Sequence, residues 1–166
     1  MHLLVFRHGK AELGAQEHRA DEDRPLSPAG SSSFMKAARC WAGLVPALER
    51  IITSPFLRAR QTGQLLSEAF GTRPPLALDA GLQPSSDPQE FLARLPNLEH
   101  IAVVSHMPFV GCLAALLLTG TDEATIALEA GQGMWFTIPG PPATTGARLL
   151  CALSIASAEK LGGVPG

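Results

Sequence analysis

Three apolar runs in this chain of 166 residues end abruptly in residues that carry charge or a nucleophile. Leu3-Leu4-Val5-Phe6 leads into Arg7-His8-Gly9. Ile51-Ile52-Thr53 leads into Ser54 and then Arg58, and Ile101-Ala102-Val103-Val104 into Ser105-His106. Taken alone, the first favours a plain reading, a satisfied strand-end histidine beside a surface arginine. The repetition reverses it. Two guanidinium groups and two imidazoles at one edge of a sheet make a locally positive pocket in a chain of net charge −2. A phosphoryl group fits such a pocket: its equatorial oxygens match guanidinium forks, and fixed cations stabilise the charge of phosphoryl transfer. One imidazole nitrogen can attack phosphorus while the other ring donates to the oxygens. Gly9 would let the backbone come close to the reacting group. Arg7, His8, Arg58 and His106 are the candidate catalytic set, with Gly9 beside the phosphoryl group, and the residues by themselves leave open which histidine attacks.

The elements that must position these residues follow from periodicity. Each apolar run is a buried strand, and each is followed by polar residues and a proline-led helix. The polar segment from Lys10 to Arg24 reads as a loop over the sheet end, where loops often shape a site. Ser27 and Pro28 open a first helix with Phe34, Ala38, Trp41 and Val45 on one face. Ser54 and Pro55 read as the cap and first position of a second, with Ala59, Thr62, Leu65, Leu66 and Ala69 inward and Gly71 at its end. Leu76 to Asp79 is a third strand, and Asp87-Pro88-Gln89-Glu90 a capped helix start above Phe91, Leu92 and Leu95. Pro108 starts a helix apolar almost all round, stopped by Gly120. Gly133–Ile138 and Arg148–Leu153 read as a hairpin joined by a Gly/Pro/Thr loop, with the residues from about Ser157 frayed.

Strands alternating with helices predict one α/β domain over residues 1–166, a three-layer α/β/α arrangement with a mostly parallel central sheet and an antiparallel C-terminal edge. Ligands of such sheets bind at the carboxyl ends of the strands, where all four candidates fall. Arg58 falls in the first turn of its helix, where free N–H groups and the helix dipole also favour an anion.

Composition narrows the class. Apolar residues at 46% and charged residues at 17% exclude a disordered chain. Thirteen Lys and Arg against fifteen Asp and Glu argue against nucleic-acid binding through bulk charge. The apolar segment Phe109 to Leu118 is too short to span a bilayer, and no basic segment with an apolar stretch and cleavage site opens the chain. Cys40, Cys112 and Cys151 are far apart and flanked by apolar residues. They read as buried free thiols in a reducing compartment, so the expected location is cytoplasmic.

The three motifs together resemble the histidine phosphatase superfamily (phosphoglycerate-mutase-like). The match lies in Arg7-His8-Gly9, in Ser54-Pro55-Phe56-Leu57-Arg58-Ala59-Arg60-Gln61-Thr62 and in Ser105-His106, in the family's order over the first two-thirds of the chain. The shortness of the chain, Arg24-Pro25-Leu26-Ser27 and Ser105-His106-Met107-Pro108 make it most similar to the SixA-type phosphohistidine phosphatases. The resemblance implies that His8 is the nucleophile that becomes phosphorylated and that Arg7, Arg58 and His106 hold the phosphoryl oxygens. It implies no metal and no cofactor. Many members carry a glutamate after the third strand that protonates the leaving group. Here that stretch reads Asp79-Ala80-Gly81-Leu82-Gln83-Pro84, with Gly81 in the glutamate's place. Asp79, at a strand end on the correct side, is the first candidate substitute. Asp87 reads better as a helix cap and Glu12 as a solvated loop charge.

A missing acid has a chemical consequence. An alkoxide needs a proton on its bridging oxygen, whereas a phosphohistidine protonated at its remote ring nitrogen leaves as neutral imidazole. A general acid contributes ~10²–10⁴-fold, so its lack penalises phosphoesters more than phosphoramidates. The expected function is therefore dephosphorylation of phosphohistidine on a protein partner, and the pocket lacks a large lid insertion that would keep a protein side chain out. The rivals are a phosphatase of a small phosphomonoester using Asp79, and a phosphate-binding protein without turnover. A metal site on His8 and His106 is disfavoured, because no carboxylate or thiol stands at ligand spacing. Lys10 reads equally as a rim cation or a solvated lysine, and His2, His18 and His100 have no role.

Overall fold

The computed structural model describes residues 1–13, 20–139 and 146–162. Its centre is a six-stranded sheet in the order β3-β2-β4-β1-β5-β6. Strands β1 (His2–Arg7), β2 (Arg50–Thr53), β3 (Leu76–Leu78) and β4 (His100–Ser105) run parallel. Beyond β1, β5 (Gly133–Thr137) pairs antiparallel, and β6 (Arg148–Leu153) pairs antiparallel with β5. This is the mostly parallel sheet with an antiparallel edge that the sequence predicts. The loop of the C-terminal hairpin spans 140–145, outside the described residues.

Alternation along the strands divides the core in two. Leu4 and Phe6 of β1 pack with α1 (Pro28–Leu44), α2 (Leu57–Ala69) and α5 (Ile155–Gly162), while Leu3 and Val5 pack with α3 (Pro88–Ala93) and α4 (Phe109–Thr119). Phe34, Ala38, Trp41 and Val45 are fully buried, as the helical spacing requires, and so are Phe91 and Leu92. Ser27 caps α1 by accepting from Gly30 N at 3.0 Å, and Asp87 caps α3 by accepting from Gln89 N at 2.7 Å. Gly120 ends α4 in the left-handed conformation, φ 81°. Cys40, Cys112 and Cys151 are free and half-buried, less enclosed than their apolar neighbours suggest.

The C-terminal end differs from expectation. Residues 155–162 form α5 instead of fraying, because Ala158 is buried against α1 and Cys40 Sγ–H donates to the Ala158 carbonyl at 3.4 Å. Ser154 starts the helix by accepting from Ser157 N at 3.2 Å. An alanine facing one cysteine carries no periodic signal long enough to be read.

The first helix is fastened to the residues just after the β1 turn. Ser27 N donates to the Lys10 carbonyl at 2.9 Å, and Leu26 N to Gln61 Oε1 of α2 at 2.7 Å. Gly30 makes the first contact possible: a Cβ there would lie 2.0 Å from the Lys10 carbonyl oxygen. Gly30→Ala should therefore destabilise the fold by about 1–3 kcal/mol through overpacking, despite the alanine's better helix propensity. Urea denaturation of the variant against wild type reads this directly.

Candidate active site

Parallel pairing of β1 with β4 sets Arg7 opposite Ser105, so the next residues, His8 and His106, leave the sheet side by side. Their rings lie 4.9 Å apart, centroid to centroid, and tilted by 55°. Strand β2 flanks β4 on its other side and ends at Thr53, after which the chain turns through Ser54 into α2 and delivers Arg58. His8, Arg58 and His106 are all buried, and Arg58 Nε–H donates to His8 Nε2 at 3.3 Å. Arg7 donates through Nη1 to the Leu128 carbonyl at 2.7 Å. The four candidates from three strand ends thus come together at one end of the sheet.

The hydrogen bonds fix the tautomer of His8. Its Nδ1 lies 2.7 Å from the Gly9 carbonyl oxygen, which can only accept, so Nδ1 carries the hydrogen. The lone pair is then on Nε2, where Arg58 points. Burial pushes His8 down from 6.5 to about 4 against the raising effect of the Gly9 bond, and the Arg58 and Arg7 charges lower it further. Burial likewise pushes His106 down to about 3, helped by His8 and Arg58. Both rings are neutral near pH 7, so His8 Nε2 is a usable nucleophile.

Among the described residues, two nitrogens of this set have no protein partner. Arg7 Nε and His106 Nδ1 are buried without a hydrogen bond, which phosphoryl oxygens could satisfy. His106 Nε2 lies 2.9 Å from Ser54 Oγ. Ser54 therefore serves the site and does not cap α2, whose cap residue is Phe56 with no side-chain bond. The reason is geometric: α2 starts at Leu57, so Pro55 is not its first position and Ser54 lies outside the turn. Phe56 lies at the site's edge, its ring tilted by 57° against the His106 ring at 4.8 Å and 5.0 Å from Arg58 Cζ.

Gly9 contributes differently from expectation. Its N–H donates to Thr62 Oγ1 at 3.0 Å, so it is committed to α2, and its carbonyl orients His8. A Cβ on Gly9 would press on Leu26 Cδ2 at 3.3 Å, so the glycine also makes room for the start of α1. Thr62, read from the sequence only as an inward helix residue, ties the turn after β1 to Arg58, whose carbonyl accepts from its hydroxyl at 2.7 Å. Lys10 is exposed at the surface beside the turn, and its carbonyl anchors α1.

Asp79 stands at the end of β3, two strands from β4. Its carboxylate accepts from Gly81 N at 2.7 Å and from Arg94 Nη1 at 2.8 and 2.9 Å. It is thus a cap and an ion-pair partner, and these bonds leave it little freedom to meet a leaving group. Asp87 is a helix cap as expected. A carboxylate that does reach the cationic cluster is Asp21, in a 3-10 turn at Asp21–Asp23. It lies 2.8 Å from Arg58 Nη2 and 2.9 Å from Arg24 Nη2. No feature distinguished Asp21 from its acidic neighbours, since the contact arises only when the loop folds over α2. His2 and His100 stack on each other at 4.7 Å at the strands' N-terminal ends, away from the pocket, and His18 lies outside the described residues.

An α/β/α sheet whose strand ends gather two arginines and two neutral histidines defines a phosphoryl-handling protein of the two-histidine type. The comparisons agree. The sequence profile of the histidine phosphatase superfamily (branch 1) matches residues 3–84. Phosphohistidine phosphatase SixA of Escherichia coli (strain K12) is 32% identical over 125 residues, covering 72% of this chain and 76% of that one. A SixA homolog from Haemophilus influenzae is 28% identical over 129 residues, covering 70% and 77%. A structure of the protein histidine phosphatase SixA complexed with tungstate superposes with TM-score 0.80 at 27% identity, over 94% of this chain and 98% of the other. The chain belongs to the histidine phosphatase superfamily.

The depressed histidines have a stability consequence. Between the unfolded value of 6.5 and the folded values of about 4 and 3, the unfolded chain binds more protons, so stability rises with pH across that window. The melting temperature should therefore fall as pH drops below 6.5, and fall less steeply in His106→Gln. Differential scanning calorimetry over that range checks the slope of each.

Proposed function

We propose that this protein is a phosphatase that removes the phosphoryl group from phosphohistidine on a protein partner, through a covalent phosphohistidine at His8. The observation that carries the reading is His8 Nε2, neutral and bare of hydrogen, with Arg58 donating at 3.3 Å. In the first step the Nε2 lone pair attacks phosphorus and the bond to the substrate's ring nitrogen breaks. That electron pair returns to a neutral imidazole. In the second step water attacks phosphorus, the bond to His8 breaks with its electron pair returning to Nε2, and dihydrogen phosphate leaves with both of the water's protons. Arg7, Arg58 and His106 hold the three equatorial oxygens, and an arriving dianion offsets the positive charge gathered there.

The SixA relatives support the phosphohistidine substrate, and the tungstate of one is a tetrahedral oxyanion like phosphate. The position of Asp79 supports it as well, because its carboxylate is already engaged by Arg94 Nη1 and Gly81 N. Charge neutralisation falls to the two guanidinium groups, so the reaction needs no metal and no cofactor. The half-buried free thiols fit a reducing cytoplasm. Among the described residues no helix is long and apolar enough to cross a membrane.

Rapid quenching with a labelled phosphoramidate should trap label that survives alkali, is lost in acid and is absent from His8→Ala. Phosphate release without any trapped label would rule out the covalent step. Arg58→Lys, which loses the fork, should lower kcat/KM about 10²–10³-fold. Turnover should persist undiminished in excess chelator.

A further inference from the structure

A carboxylate beside a phosphate pocket repels the substrate, so its presence calls for a compensating role. Asp21 is that carboxylate. One of its oxygens lies 2.8 Å from Arg58 Nη2 and the other 2.9 Å from Arg24 Nη2, while Arg58 Nε reaches His8 Nε2 at 3.3 Å. A single guanidinium separates it from the nucleophile. Its side chain is 62% exposed where that of Arg58 is 4% exposed, so the carboxylate stands at the pocket's opening. A carboxylate offers about four acceptor positions, and the two arginines take two. The cleft beside it, about 330 Å³, is lined by Glu22, Asp23, Phe56 and Arg60 among others. Phe56 belongs to both cleft and site, and its flat ring suits another flat ring.

We propose that Asp21 is a specificity-determining residue that accepts a hydrogen bond from the remote ring N–H of a protonated phosphohistidine, so that the leaving group is held as an imidazolium until the P–N bond breaks. This rests on the phosphohistidine reading above. In the step itself the P–N electron pair returns to the substrate ring, the remote N–H stays in place, and a neutral imidazole departs while phosphorus bonds to His8 Nε2. Asp21 exchanges no proton. It stabilises positive charge on the substrate ring and so extends the pH range over which the reactive form is populated. A phosphomonoester carries no such charge and meets only the repulsion. The charged and titratable groups that face Asp21 are Arg58 and Arg24, with the neutral His106 further in and Glu22 and Asp23 next in the chain. Burial works against ionisation of Asp21, but the Arg58 hydrogen bond and the neighbouring charges outweigh it and hold the carboxyl below its ordinary range.

The test compares wild type and Asp21→Asn, as full chains, on a phosphohistidine peptide and on p-nitrophenyl phosphate from mildly acid to mildly alkaline pH. The variant should lose about tenfold in kcat/KM on the peptide at the alkaline end, with the alkaline limb moved down by about one pH unit. Its KM for p-nitrophenyl phosphate should fall, because a repelling charge is gone. Asp21→Glu should restore the peptide profile in part. Equal losses on both substrates would mean that Asp21 only holds Arg58, and an unchanged peptide profile would mean that it does not meet the ring; either overturns the proposal. A wild-type protein that hydrolyses p-nitrophenyl phosphate but no phosphohistidine peptide would overturn the functional reading itself, and this proposal with it.

Discussion

The pairing of β1 with β4 is the constraint on which the site depends. Arg7 opposite Ser105 puts two histidines on adjacent parallel strands at the same height, and a slip of one residue would turn one ring away. The register is held by burial on both faces: Leu3 and Val5 fit one half of the core, Leu4 and Phe6 the other. The same apolar runs that stabilise the sheet thus set the spacing of the chemistry. The main-chain bond from His8 N to the Ser105 carbonyl, 2.9 Å, extends the ladder past the last strand residue and fixes the turn.

The electrostatics follow from placing that turn where water is scarce. Burial makes a proton costly on both imidazoles, and two guanidinium groups close by add to that cost, so both stay neutral. A free anion, or the phosphoryl group of a substrate, relieves the repulsion among the cations. Asp21 relieves part of it from the open side, while the buried side depends on backbone carbonyls such as that of Leu128 at Arg7. Positive charge is therefore neutralised on one side of the pocket by a side chain that solvent can reach.

Rigidity comes from hydrogen bonds that link elements remote in sequence. Thr62 accepts from Gly9 and donates to the Arg58 carbonyl, tying the nucleophile's turn to the arginine's helix. Gly30 lets α1 sit on the Lys10 carbonyl, and Gln61 of α2 receives Leu26 N. The turn after β1 is thereby held by both helices of one layer. A nucleophile that must approach phosphorus in line benefits from such support, since small displacements at a reacting atom cost rate steeply.

The sequence alone determined the strands, the main helices and which four charged or imidazole residues reach the strand ends, because their signals are local. Apolar runs, proline-led helix starts and caps at Ser27 and Asp87 are written in neighbouring positions. The antiparallel edge was legible for the same reason. Tertiary structure alone decided which groups serve those four residues. Ser54 turned from a helix cap into the partner of His106, and Gly9, expected beside the phosphoryl group, became the anchor of Thr62 and the orienter of His8. Asp79 went to Arg94, and Asp21 came to Arg58 across 37 positions of chain. A short polar side chain has several partners within reach of almost any backbone. Only the packed arrangement of strands and loops selects among them.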